Sequence, residues 1–329
     1  MLLRLFLLFL FCLHAVSVEA RCRSVDYRDH LTPAQKQQFE AAVARIPYGE
    51  GNHWIAIKGG RTLHIIGTMH SGDRRMSPIV RRLKPIIESA DALLLEVSSY
   101  KFEQAFEDRQ IFRKYMLLPR AQSLRRMMSA ATWGELAVKL QVLGMSPAEL
   151  DRLQPWFASE LLDRVSCVSN TPRYRGKGLD DRIETVARRA RVPIGSLETV
   201  GQSFGALMAM PKRDHVQLIE LELERQRTGQ ITFNKLDDAY FEEAVGQIMV
   251  MSRWSLYTDY KASRAELDQL HNSLIGSMLN RRNRNWIPVI LRTKGDTLVV
   301  AVGAAHLPGR EGILNLLRQQ GYTLQRAPF

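Results

Sequence analysis

The chain has 329 residues, 45% of them hydrophobic, with 46 Lys and Arg against 34 Asp and Glu, for a formal net charge of +12. The basic surplus favours anionic surroundings such as lipid head groups or acidic polysaccharide, and the lack of an aromatic-interleaved basic motif argues against nucleic acid. No low-complexity or Gly/Ser-rich linker interrupts the chain, which favours one contiguous globule.

Met1-Leu-Leu-Arg4, an apolar stretch from Leu5 to Leu13 and the small residues Val18 and Ala20 predict a secretory signal peptide, residues 1–20, cleaved after Ala20. The apolar core, about nine residues, is too short to span a bilayer. An exported protein, periplasmic or secreted, of residues 21–329 without a transmembrane segment is therefore expected. Cys22 and Cys167 remain after cleavage; an oxidising compartment permits one disulfide, and two lone cysteines argue against a thiolate zinc site.

Thr32-Pro33 signals the start of a helix that ends before Pro47. Two strands follow, His53 to Ile57 and Arg61 to Ile66, around a Lys58-Gly59-Gly60 hairpin turn. After the loop Gly67 to His70, Ser77-Pro78 opens a helix through Ser89 with an apolar stripe of Ile79, Leu83, Ile86 and Ile87, which Pro85 can kink. Ala92 to Val97 reads as a buried strand carrying one carboxylate, Glu96. Strand, loop, helix and strand make a βαβ unit whose two strands lie parallel in one sheet. Residues from roughly 100 to 290 form a helical insertion, interrupted by a helix from Gly178-Leu-Asp180 to Ala190 and a strand from Val192 to Thr199 containing Glu198. The carboxyl-terminal part repeats the first unit: strand 297–302, loop Gly303 to His306, helix Pro308 to Gln320 and strand Tyr322 to Arg326. The expected fold class is α/β, a central sheet built from two such repeats at the two ends of the chain.

The repeated loop is the chemical signal. Thr62-Leu-His-Ile-Ile-Gly67-Thr-Met-His70 and Thr297-Leu-Val-Val-Ala-Val-Gly303-Ala-Ala-His306 both run from an apolar strand through glycine to a histidine three residues on. In parallel sheets, ligand sites lie beyond the carboxyl ends of strands, where His70, His306 and Glu96 all fall. A carboxylate ending Ala92-Leu-Leu-Leu is costly to bury without a proton, cation or metal. Two imidazoles and a carboxylate suit a divalent ion such as Zn, Mn, Fe or Co, which would activate water and polarise a carbonyl.

Gly67-Thr-Met-His70, Leu-Leu-Leu-Glu96, Leu197-Glu198-Thr199, Arg282-Asn283 with Trp286, and Val302-Gly-Ala-Ala-His306-Leu-Pro-Gly309 together resemble the TraB/GumN family, in which the metal-dependent Tiki proteases also fall. The resemblance covers roughly residues 53–326 and implies an EreA/ChaN-like fold. It implies His70, Glu96 and His306 as metal-site residues and Glu198, Arg282 and Asn283 as catalytic ones. On this basis the expected function is an exported metal-dependent hydrolase acting as a peptidase on peptide or protein substrates. Glu198 is then a further ligand or general base, and Arg282 an oxyanion or carboxylate partner.

Two alternatives stand beside it. A non-catalytic binding protein on the same scaffold would handle anionic envelope polysaccharide or a signalling peptide through its basic surface. Gly201-Gln-Ser203-Phe-Gly205 fits the G-x-S-x-G of a serine hydrolase, with Asp237, Asp238 or Asp259 and then His306 downstream. His53, His64, His215 and His271 are expected to be structural, and Leu207-Met208-Ala209-Met210 to pack a core or touch substrate.

Overall fold

The computed structural model describes residues 23–70, 72–165, 177–227, 232–234 and 236–329. The expected leader and both cysteines left after cleavage, Cys22 and Cys167, lie outside the described residues. The strands are β1 (Arg23–Val25), β2 (His53–Lys58), β3 (Arg61–Thr68), β4 (Ala92–Leu95), β5 (Ile194–Ser196), β6 (Thr232–Asn234), β7 (Thr297–Gly303) and β8 (Thr323–Arg326). Six form one mixed sheet in the order β5-β4-β7-β3-β2-β8, and β1 pairs with β6 apart from it.

The centre of that sheet follows from composition. β7 is apolar along its length and buried from Leu298 to Val302, as a strand covered on both faces must be. Its side chains alternate. Val299 and Ala301 pack with helices Met76–Glu88 and Leu179–Ala190, while Leu298, Val300 and Val302 pack with helices Arg281–Arg292 and Ile313–Gln319. Met76, Ile79, Leu83 and Ile87 form the buried stripe of the first of these helices, each worth about 1.5–3 kcal/mol of burial. Pro85 lies inside that helix without ending it. The β2–β3 turn places Gly59 and Gly60 at φ of 56° and 81°, the left-handed pair that a two-residue hairpin loop requires.

The structure bears out one expectation, that of two parallel strands in one sheet, and corrects two element bounds. β3 and β4 are parallel members of one sheet, yet β7 lies between them and pairs with both. The strand expected from Val192 to Thr199 reduces to Ile194–Ser196, so Glu198 lies beyond its end. The carboxyl-terminal helix begins at Ile313 instead of Pro308, because Gly309 takes a left-handed φ of 94° and Gly312 caps the helix. β8 pairs antiparallel with β2 at the far edge, so β7 and β8 are separated by β3 and β2 where β3 and β4 are separated only by β7.

The helical insertion has its own core, in which Leu124, Leu136, Leu140, Leu150, Ile219 and Leu223 are buried together. A smaller cluster of Ala105, Met116, Trp156 and Phe204 joins it to the carboxyl ends of the sheet strands, where the site lies. Among the described residues no helix is long and apolar enough to cross a membrane.

Candidate active site at the carboxyl ends of β3, β4 and β7

β3 and β7 run side by side in parallel, with Thr62 opposite Thr297 and Thr68 opposite Gly303. The two loops that follow therefore leave the sheet at one place. Both glycines sit where a side chain would be crowded: a Cβ on Gly67 would lie 3.0 Å from the Ala304 Cα, and one on Gly303 would lie 3.3 Å from Glu96 Oε1. The same point beside Gly303 is 3.6 Å from His306 Cδ2 and 3.9 Å from His70 Nε2. The three residues expected to form one site thus converge, although most of the chain separates them.

Each group is oriented by a partner. Glu96 accepts from the Gly303 amide at 2.7 Å and from Arg282 Nη2 at 2.6 Å. His70 Nδ1 faces Asp180 Oδ2 at 3.1 Å, and His306 Nδ1 faces Asn283 Oδ1 at 2.5 Å. Because both Nδ1 atoms face oxygen acceptors, each imidazole keeps Nε2 for another role. Asn283 donates in turn to the Glu311 carbonyl at 2.8 Å, and the Trp286 ring lies 4.5 Å from the His306 ring. Tyr240 supports the first loop from below, its hydroxyl donating to the Gly67 carbonyl at 2.9 Å.

Arg282 is the hub, with all five N–H donors engaged. Nε and Nη2 reach Glu198 at 2.7–3.2 Å, Nη2 also reaches Glu96, and Nη1 reaches the Met278 carbonyl at 3.1 Å and His306 Nε2 at 3.3 Å. Met278 lies in a π-helical turn, Gly276–Asn280, that leads into the helix carrying Arg282. Glu198 also accepts from Trp286 Nε1 at 3.0 Å. Both Glu198 oxygens are therefore occupied in holding the guanidinium.

The electrostatics separate these groups. Burial alone would raise the Glu96 carboxyl, but the cationic groups around it and the Gly303 amide hold it at about 2. Burial pushes the His306 imidazole down to about 4, so it is neutral near pH 7, and the cations that secure Glu96 there are Arg282 and His70. The Asp180 hydrogen bond raises His70 to about 9 against the cost of desolvation. His70 is 68% exposed, so water screens part of that attraction.

His70, Glu96 and Arg282 open onto a cleft of about 570 Å³, whose lining also includes Thr68, Asp180 and Ser203, while the buried His306 lies behind it. Thr68 Oγ1 and Asp180 Oδ1 are buried without a hydrogen-bond partner among the described residues. As arranged, no three His, Cys, Asp or Glu side chains among the described residues are gathered closely enough to cage a metal. The donor types, two imidazoles and one ionised carboxylate, fit a divalent ion, and ligation would have to displace Arg282 from Glu96 and from His306 Nε2, and a proton from His70.

Ser203 is less suited to its expected role. Gly201-Gln-Ser203-Phe-Gly205 lies wholly within helix Val200–Ala209, capped by Thr199, and not on the strand-to-helix turn that exposes a nucleophile. Three of the four histidines expected to be structural are hydrogen-bonded, His53 Nε2 to His64 Nδ1 at 3.1 Å and His215 Nε2 to the Leu207 carbonyl at 2.9 Å, while both ring nitrogens of His271 are buried without a hydrogen-bond partner among the described residues. Sequence reasoning placed Asp180 only at a helix start and did not single out Tyr240. Asp180 follows Gly178, where a Cβ would stand 2.6 Å from the Met69 carbonyl oxygen, so that glycine was the available signal.

The profile of the TraB/PrgY/gumN family matches residues 52–326, which takes in all three strands and every residue of the cluster. The uncharacterized protein YbaP of Escherichia coli (strain K12) is 23% identical over 274 residues, covering 82% of this chain and 94% of YbaP. The protein of that name from Shigella flexneri matches to the same extent. A metalloprotease TIKI homolog of Amphimedon queenslandica is 28% identical over 65 residues, 18% of this chain and 13% of that protein.

Proposed function

The chain belongs to the TraB/PrgY/gumN family, and from that premise we propose that it is an exported metal-dependent hydrolase acting as a peptidase. The observation that carries this is the convergence of Glu96, His306 and His70 within 4 Å of the missing Gly303 Cβ. Similarity to part of a metalloprotease TIKI homolog supports the same class of chemistry.

His70 and His306, through Nε2, and Glu96 would hold the ion. When bound there, a Zn, Mn, Co or Fe ion supplies an acidified water and a Lewis acid for a carbonyl. Asp180 and Asn283 fix the two rings so that each Nε2 faces inward. Glu198 and Trp286 hold the Arg282 guanidinium in place. Its contact to His306, at 3.3 Å, is the longest that it makes and so the most readily redirected to a developing oxyanion. Export rests on the leader at residues 1–20, and amino-terminal sequencing of the protein recovered outside the cytoplasm should begin at Arg21.

The test is hydrolysis of an internally quenched peptide by the purified full chain, with chelator and after readdition of Mn or Zn. Chelator should abolish the activity and one of these metals should restore it; chelator-insensitive hydrolysis would overturn the metal assignment. A second reading, a binding protein without catalysis, is favoured by one observation: Arg282 already pairs with both Glu96 and Glu198. That reading requires peptide or polysaccharide binding with no metal requirement.

A further inference from the structure

The cleft does not share the charge of the chain. In a protein of net charge +12, its lining carries the carboxylates of Glu96, Glu103, Glu160, Asp180 and Glu184 against Arg282 and His70. Arg188 pairs with Glu184 from outside, and among the described residues the lining still counts more carboxylates than cations. The same lining holds an apolar wall of Phe102, Trp156, Phe157, Phe204, Leu207 and Met278.

The wall is built to present carbon. The Trp156 indole N–H donates to the Tyr115 carbonyl at 3.0 Å, and its ring stacks on Phe204 with centroids 5.9 Å apart, both rings buried. Phe102, Phe157 and Leu207 pack against them, and with Met278 they line the cleft, all four partly exposed. An aromatic floor of this kind gains by covering an apolar group, and a volume of about 570 Å³ lies within the range of small-ligand sites. The acidic lining repels anions and attracts cations before contact.

We propose that this wall is a side-chain subsite: it takes a bulky apolar or aromatic residue of a peptide substrate, beside the His70/Glu96/His306 centre, and the acidic lining favours neutral or basic flanking residues over acidic ones. The proposal rests on the peptidase reading for its substrate and on the cleft alone for its selectivity. The polysaccharide and other anionic partners suggested by the net charge are thereby excluded from this cleft and confined to the outer surface.

The test uses capped hexapeptides Gly-Ala-Xaa-Ala-Lys-Gly with Xaa as Phe, Leu, Gly or Asp, measured on the full chain for cleavage and, by fluorescence anisotropy, for binding. Phe and Leu should exceed Gly by roughly 10-fold or more, from the burial of one large apolar side chain, with Asp weakest. Leu207→Asp should erase the preference for Phe. Glu103→Lys, at an exposed position that tolerates either charge, should narrow the discrimination against Asp. If no peptide is cleaved but binding keeps this ranking, the subsite stands and the peptidase reading falls. Phe and Gly within about twofold of each other, a preference for Asp, or no saturable binding would overturn the subsite.

Discussion

Replacing Arg282 with Met tests the network at its hub. The guanidinium is the common partner of Glu96 and Glu198, whose side chains are only 18% and 5% exposed. Met keeps the length and packing of the side chain but leaves two buried carboxylates facing each other without a cation. Removing one member of a buried ion pair costs about 3–5 kcal/mol, so Arg282→Met should lose about that much stability at pH 7. The pH dependence should also change sign. In the native chain Glu96 titrates at about 2 against an ordinary 4.5, so its contribution is present above 4.5 and is lost as pH falls toward 2. Without Arg282 the cost of burial prevails at Glu96, its pKa rises above 4.5, and the variant should gain stability as pH is lowered from 7 to 5. Urea unfolding followed by tryptophan fluorescence at both pH values reads both effects. A loss below about 1 kcal/mol at pH 7, typical of an exposed ion pair, or an unchanged pH slope would refute the buried-hub account.

Asp180→Asn should lower the His70 titration midpoint from about 9 toward the ordinary 6.5, measured by NMR of the ring protons, since the Asp180 hydrogen bond is the main cause of the rise. The stabilisation that His70 provides below pH 6.5 and loses as pH rises through about 9 should shrink in parallel. Burial holds His64 near 4 against an ordinary 6.5, so stability should fall as pH drops from 6.5 toward 4, and His64→Leu should flatten that limb of a thermal-melt series. Tyr240→Phe removes the donor to the Gly67 carbonyl and should cost about 1–3 kcal/mol in urea unfolding; an unchanged midpoint would mean that the loop does not depend on it.

The sequence made the main chemistry visible because β7 and β3 are apolar runs that stop at glycine and are followed by histidine. A buried run of that kind belongs at the centre of a sheet, and a parallel sheet gathers the ends of its strands. Glu96 was visible as a carboxylate after Ala92-Leu-Leu-Leu. What the local pattern could not carry was which strand lies between which. β3 and β4 are joined by a βαβ connection, but the pairing of β7 with both is a long-range choice that no short window records. Asp180 looked like an ordinary helix-start residue because its partner, His70, arrives from a distant loop. The contact of Arg282 with the Met278 carbonyl likewise involves a π-helical turn, which has no residue signature in Gly276–Asn280. The repeated Arg-Asn pairs at 282–285 became distinguishable only in space: Arg282 and Asn283 are buried, whereas Arg284 reaches the exposed Glu311.

The central claim is that His70, Glu96 and His306 act as one divalent-ion centre. Calorimetric titration of Zn or Mn into the full chain and into His70→Ala, Glu96→Gln and His306→Ala variants tests it most directly. One site per chain in the native protein, weakened at least about 10-fold by each substitution, is the predicted result. Equal stoichiometry and affinity in all four proteins, each shown to be folded, would contradict it.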